Sequence, residues 1–156
     1  MNTTVQWYVG LTNSMGSVQY VIIRFKLGNE SIAPPNETST TPSPAPVIMQ
    51  YSRVLLDNET WEFPFQWSII KVNQVQNATS LTLDVNGTAV DMPTPTSQGG
   101  RNFRIIIELW VYNPDMEAFE FGWVTGTERH AAWLQVWFNV TLPVSCQRNV
   151  TCILNT

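Results

Sequence analysis

Along most of this chain apolar residues return at every second position, and no stretch as long as 12 residues returns them at a helical spacing. Successive side chains of a strand point to opposite faces, so this period calls for half-buried strands. In "VQWYVGLT", Val5, Trp7, Val9 and Leu11 share one face. After the turn "NSMGS", the stretch "VQYVIIRFKL" turns Val21, Ile23, Phe25 and Leu27 inward and Arg24 and Lys26 outward. "VIMQYSRVLLD" reads as a strand of ambiguous phase, and "WEFPFQWSIIKV" aligns Trp61, Phe63, Phe65, Trp67 and Ile69. Pro64 has no N–H for a ladder, so its strand is predicted at an edge or with a bulge. "LTLDVNGTAVDM" is a hairpin around Asn-Gly. "NFRIIIELWVYN" aligns Phe103, Ile105, Ile107, Leu109 and Val111, and after "NPDM" the run "AFEFGWV" aligns Phe119, Phe121 and Trp123. The closing stretch "HAAWLQVWFNVT" reads as a final strand with Ala132, Leu134, Val136, Phe138 and Val140 on its core face.

Two polar loops interrupt the pattern, 29–46 ("NESIAPPNETSTTPSPAP", with five prolines) and 93–101. Neither flank of 29–46 could make a domain alone, so 1–156 is expected to be one domain. About 7–9 strands with Pro/Gly-rich turns predict an all-β, two-sheet antiparallel sandwich. With 156 residues, 44% of them apolar, the chain can build a core.

Charged residues are only 13%, against about 25% in ordinary soluble proteins. The net charge of -4 offers no basic field to nucleic acid or to an anionic membrane. The longest apolar run, "IIIELWVY", contains Glu108 and is too short to span a bilayer. "MNTTVQWYVG" lacks the basic start and apolar run of a signal peptide, so the chain is expected to be cytoplasmic or a mature or excised piece of something exported.

Sequons choose between those. Asn-X-Ser/Thr occurs at Asn2, Asn29, Asn36, Asn58, Asn77, Asn86, Asn139 and Asn149, which is 8 of the 12 asparagines placed to qualify. With Ser and Thr at 27 of 156 residues, chance gives roughly 2. Most lie in turns or loops, where a glycan needs its site. Covalent N-linked sugar, and hence an extracellular or cell-surface location, is the expectation, with no other cofactor. Cys146 and Cys152, with no His or further Cys nearby, do not form a zinc site. In an oxidising compartment they would clamp the tail 142–156 by closing a seven-residue loop around Asn149, worth about 2–2.5 kcal/mol; the alternative is two free thiols.

No catalytic, metal-binding or cofactor-binding residue is assigned. His130 is the only histidine, no Gly-x-Ser-x-Gly elbow or phosphate loop occurs, and His130 reads as a polar residue at a strand mouth. Glycoside hydrolysis needs only two carboxylates, which makes Glu108 and Glu120 the best pair; the simpler reading is a Glu108–Arg104 contact on the outer face. Trp110, Tyr112, Trp133 and Trp137 fall in the outward phase. They would stack on sugars, meet a partner, or lie under a loop such as 29–46.

The stretches "VGLTNSMGSVQYVIIRFKLG", "LDNETWEFPF", "FRIIIELWVYNPDMEAFEFGW" and "AWLQVWFNVT" resemble, in order and spacing over roughly residues 5–141, a prokaryotic and largely archaeal family called domain of unknown function 1616. The resemblance implies an immunoglobulin-like domain outside the membrane, tethered by helices elsewhere, with no catalytic residues to carry over. The chain departs from the family in the proline-rich loop 29–46, in the cysteine tail, and in having only "MNTTVQWY" at and before the first strand. It is therefore expected to lack a strand there or to use its N-terminus differently.

Two functional readings follow. One is a glycosylated structural or adhesive domain whose partners are other surface proteins, copies of itself or glycans, reaching a membrane only through a tether not in this chain. The other is a filament or coat subunit joined by strand addition. A carbohydrate-binding or carbohydrate-active domain ranks third.

Overall fold

The computed structural model describes residues 3–90, 92 and 94–140, and the backbone of 151–153. The sequons at Asn2 and Asn149, Cys146 and the Cys152 side chain lie outside the described residues. The described chain has no helix. Seven strands of six residues or more carry the fold: β1 (Val5–Thr12), β2 (Gln19–Asn29), β3 (Val47–Leu55), β4 (Thr60–Val75), β5 (Ala78–Val85), β8 (Phe103–Asn113) and β12 (Trp133–Phe138). Short ladders complete it: β6 (Thr88–Ala89), β7 (Ser97–Gln98), β9 (Ala118–Phe121), β10 (Trp123–Thr125), β11 (Glu128–His130) and β13 (Thr151–Ile153).

The first sheet runs β1-β4-β5-β6, with β13 also on β4 and β7 on β5; the second runs β12-β8-β2-β3, with β9 also on β8. Every ladder is antiparallel, and the two sheets pack face to face as the predicted sandwich. Alternation supplies both inner faces. Val21, Ile23, Phe25 and Leu27 meet Trp61, Phe65 and Trp67 across the interior, with Phe103, Ile105, Ile107 and Val111 alongside. Phe25 stacks on Phe65 with centroids 3.9 Å apart, and Trp67 packs on Phe138 at 4.9 Å. Such aromatic contacts each add about 0.5–1.5 kcal/mol beyond their burial.

Of the two outcomes expected for the Pro64 strand, the bulge is the one found, since β4 is an inner strand between β1 and β5. It faces Tyr8 of β1, while β5 begins to pair with β4 only at Trp67, so one side of Pro64 has no ladder to supply. A bulge follows between Ile69 and Lys71. Along the β1 side of β4, Val5 lies opposite Trp67 and Ile153 lies opposite Lys71.

Two runs predicted as continuous strands are each broken in two. "AFEFGWV" breaks at Gly122, whose φ of 87° suits glycine and whose hydrogen leaves space that a Cβ would contest with the His130 carbonyl. His130 closes the β10–β11 hairpin opposite Trp123, and β12 starts afresh at Trp133.

Candidate functional site

Residues 30–46 do not hang free. They lie as a strap over the outer face of β2 and β8. The outward alternation there brings together Lys26, Glu108 and Trp110, and the strap adds Ser43. Glu108 is 0% exposed and Lys26 4%. The Lys26 ammonium lies 2.7 Å from Glu108 Oε2 and donates to the Ser43 carbonyl at 2.6 Å. Glu108 accepts from the Ser43 N–H (2.7 Å) on Oε1 and from Trp110 Nε1 (3.0 Å) on Oε2. A buried charge needs a partner and filled hydrogen-bonding positions, and this network supplies both.

This corrects two expectations. Lys26 does not face solvent, because the strap covers it. Glu108 pairs with Lys26 rather than with Arg104. Arg104 turns instead to the edge, donating to Gln135 Oε1 (2.7 Å) and to the Ile32 carbonyl, with its guanidinium 4.7 Å from the centre of the Trp137 ring. Burial lowers the Arg104 pKa from its ordinary value. The Arg24 guanidinium carbon lies over the Trp110 ring, 3.9 Å from its centre.

The strap is anchored at further points. The Asn29 side chain donates to the Thr96 carbonyl (2.7 Å) and accepts from the Ser31 and Ile32 N–H groups (3.0 Å each). At the tip Asn36 and Thr41 bridge each other, Trp133 Nε1 donates to Glu37 (3.1 Å), and Arg129 donates to Thr40 Oγ1 (3.0 Å). None of Ser43, Ile32 or Gln135 was legible as a partner. The available signal was that the outward faces of β2 and β8 also carry Ile22 and Ile106, too apolar for a face left in water.

Chemically the strapped face is closed: Glu108 has both oxygens engaged and no solvent access. Glu120 is exposed on β9 and accepts from Asn113 Nδ2 at 2.7 Å. His130 is half-buried, stacked on Trp123 with centroids 5.8 Å apart, and its Nε2 lies 3.9 Å from the Glu128 carboxylate. Trp110, Tyr112 and Trp133 are half-buried and Trp137 is 46% exposed, so the four outward aromatics are not deep in the core. Trp110, Phe119 and Trp123 line a cleft of about 600 Å³ together with Asn113, Glu120 and Arg129.

The opposite situation holds between β1 and β12. β12 pairs only with β8, and β1 only with β4, among the described residues. Between these two edges the sandwich is open. An apolar cavity of about 470 Å³ is lined by Leu11, Val21, Leu55, Leu109, Val111 and Trp123. It continues, through Leu11, Leu109 and Ala132, into a smaller one of about 100 Å³ that reaches Val9, Ile107 and Leu134. Leu134 is 65% exposed and Val136 42%, which corrects their placement in the core. Their phase is right, but β1 is the last strand of the facing sheet and does not cover them.

The sequons divide by environment. Asn36, Asn58, Asn77, Asn86 and Asn139 are exposed, and all but Asn139 sit in or beside turns; Asn29 is buried at the end of β2. Asn86, at φ 50°, donates to the Tyr51 hydroxyl, tying the β5–β6 hairpin to β3. Burial raises the Tyr51 pKa above 10.0, with the Asn86 contact pulling the other way. Compared with protein-family models, with curated proteins and with solved structures, the chain matches none.

Proposed function

We propose that this chain is a non-enzymatic, heavily N-glycosylated domain of a cell exterior, serving as a structural or adhesive unit. The observation that carries the reading is the sequon excess combined with its placement. Five of the sequon asparagines, Asn36, Asn58, Asn77, Asn86 and Asn139, stand exposed in turns or just past a strand end. Glycans would also solvate a chain with 13% charged residues. The sealed Glu108 supports a non-catalytic role, and the resemblance to domain of unknown function 1616 points the same way. The partners would be neighbouring surface proteins or further copies, with any membrane tether lying outside this chain. Intact mass before and after deglycosylation tests this: protein recovered from its host should lose the mass of several N-linked glycans on treatment. A mass unchanged by treatment would overturn the proposal.

A second reading, a filament or coat subunit built by strand addition, is favoured by the groove. An extended segment of another copy would satisfy the open backbone edges of β1 and β12 and bury Leu134 and Val136. Sedimentation over a range of concentrations should show assembly that Val136→Lys abolishes. A monomer at every concentration counts against it.

A further inference from the structure

We infer that the fold sorts its sequons, with Asn139 a built seat for a glycan and Asn29 a site closed by its structural role. The inference rests on the glycoprotein reading above. N-linked sugar replaces a hydrogen on the side-chain nitrogen, so that nitrogen must face solvent with room around it.

Asn29 fails that requirement. It is 8% exposed, and its Nδ2 donates to the Thr96 carbonyl at 2.7 Å. Its Oδ1 takes the Ser31 and Ile32 N–H groups, which start the strap on its path to Arg104 and Glu108. A sugar at this nitrogen would replace the Thr96 contact with a group too large for the space. The strap would then lose its first anchor, and Lys26 and Glu108 their cover. Asn29 therefore stays bare in the folded protein, although its sequon is intact.

Asn139 meets the requirement and adds a platform. It is exposed, and its Oδ1 accepts the Asn102 N–H at 2.8 Å, which fixes the plane of the amide. Its Nδ2 makes no hydrogen bond among the described residues. Trp137 precedes it by two positions, the spacing that keeps side chains on one side where the chain is extended, and lies in β12, which ends one residue before Asn139. One face of the Trp137 ring rests on the Arg104 guanidinium, and Arg104 is itself held by Gln135 and Ile32. The ring is thus pinned from behind while 46% of the residue remains open to solvent. A pyranose has an apolar face of C–H groups suited to such a ring, and a pinned ring costs little further ordering. The first sugar on Asn139 would lie against Trp137.

The test is glycopeptide mass spectrometry on the full chain, secreted and folded by a glycosylating host. Expected are sugar on Asn139 and none on Asn29. Ser31→Ala deletes the Asn29 sequon but keeps its amide, and should change neither glycan count nor melting temperature. Trp137→Ala should speed enzymatic release of the Asn139 glycan about fivefold relative to that on Asn36 in the same molecule. Sugar on Asn29 in the folded fraction, or a bare Asn139 beside other occupied sequons, overturns the sorting while leaving the glycoprotein reading intact. An unchanged release rate overturns the platform. A chain with no sugar at any sequon overturns the glycoprotein reading and the sorting with it.

Discussion

The two flanks of the second sheet invert what their residues suggest. The outer face of β2 and β8 carries Lys26, Glu108 and Arg104, yet a strap of Pro, Ser and Thr residues seals it. The inward side of β12 carries Leu134 and Val136, yet both stand in solvent. Phase tells which way a side chain points; the width of the opposing layer decides whether anything waits there. A covered polar face must find partners for its charges, as Lys26 and Glu108 do for each other, whereas an uncovered apolar edge needs nothing until a partner arrives.

The sharpest way to break this contrast is Glu108→Ala. It leaves Lys26 buried without its carboxylate, and the expected loss in equilibrium denaturation is about 3–5 kcal/mol. The double change Lys26→Met with Glu108→Leu should recover most of that loss, because no uncompensated charge remains. If Glu108→Ala cost less than about 1 kcal/mol, the strap would be a loose cover rather than a seal.

Next come two leucines in the same inward phase. Leu27 is 0% exposed and Leu134 is 65%. Leu27→Ala should cost about 2–5 kcal/mol by opening a cavity, while Leu134→Ala should stay within about 0.5 kcal/mol, as surface changes do. Equal losses at the two sites would mean that the groove is filled in solution.

Asn29→Ala removes the strap's first anchor, and three hydrogen bonds with it. A loss of about 1–3 kcal/mol is expected, together with faster hydrogen exchange along residues 30–33. Exchange confined to Asn29 itself would show that the later contacts hold the strap alone.

The smallest effect is alkaline. The folded state holds the Tyr51 proton more tightly than the unfolded state, whose phenol titrates near 10.0. The stability this contributes is complete below that value and is lost as pH rises through the higher folded pKa. Tyr51→Phe should flatten the decline of melting temperature above about pH 10.

Much of the fold was legible from alternation alone. The inward faces of β2, β4 and β8 follow the period of two, because a central strand has an opposing layer along its whole length. Pro64 marked the bulged strand, because it has no N–H for a ladder. Three features were not legible. The strap's destination depends on Ser43 and Ile32 backbone groups, which carry no residue-specific signal. The exposure of Leu134 depends on how many strands the other sheet has. The break at Gly122 depends on a close approach to the His130 backbone from a later hairpin. Each is a property of a pair of segments distant in sequence. The sequon at Asn29 shows the same limit: the triplet is intact, and only its burial and its tertiary contacts distinguish it from Asn139.

One consequence of the β4 edge concerns connectivity. Val5 and Ile153 lie along the same side of β4, opposite Trp67 and Lys71, so about four residues of strand, roughly 13 Å, separate them. In a chain trimmed to residues 5–153, a short loop could join them without moving either sheet, and new ends could be opened in the Asn86–Gly87 turn. Such a circular permutant would keep both layers and the strap while presenting its ends on a different rim. The same architecture could then be threaded into a host chain as an inserted module.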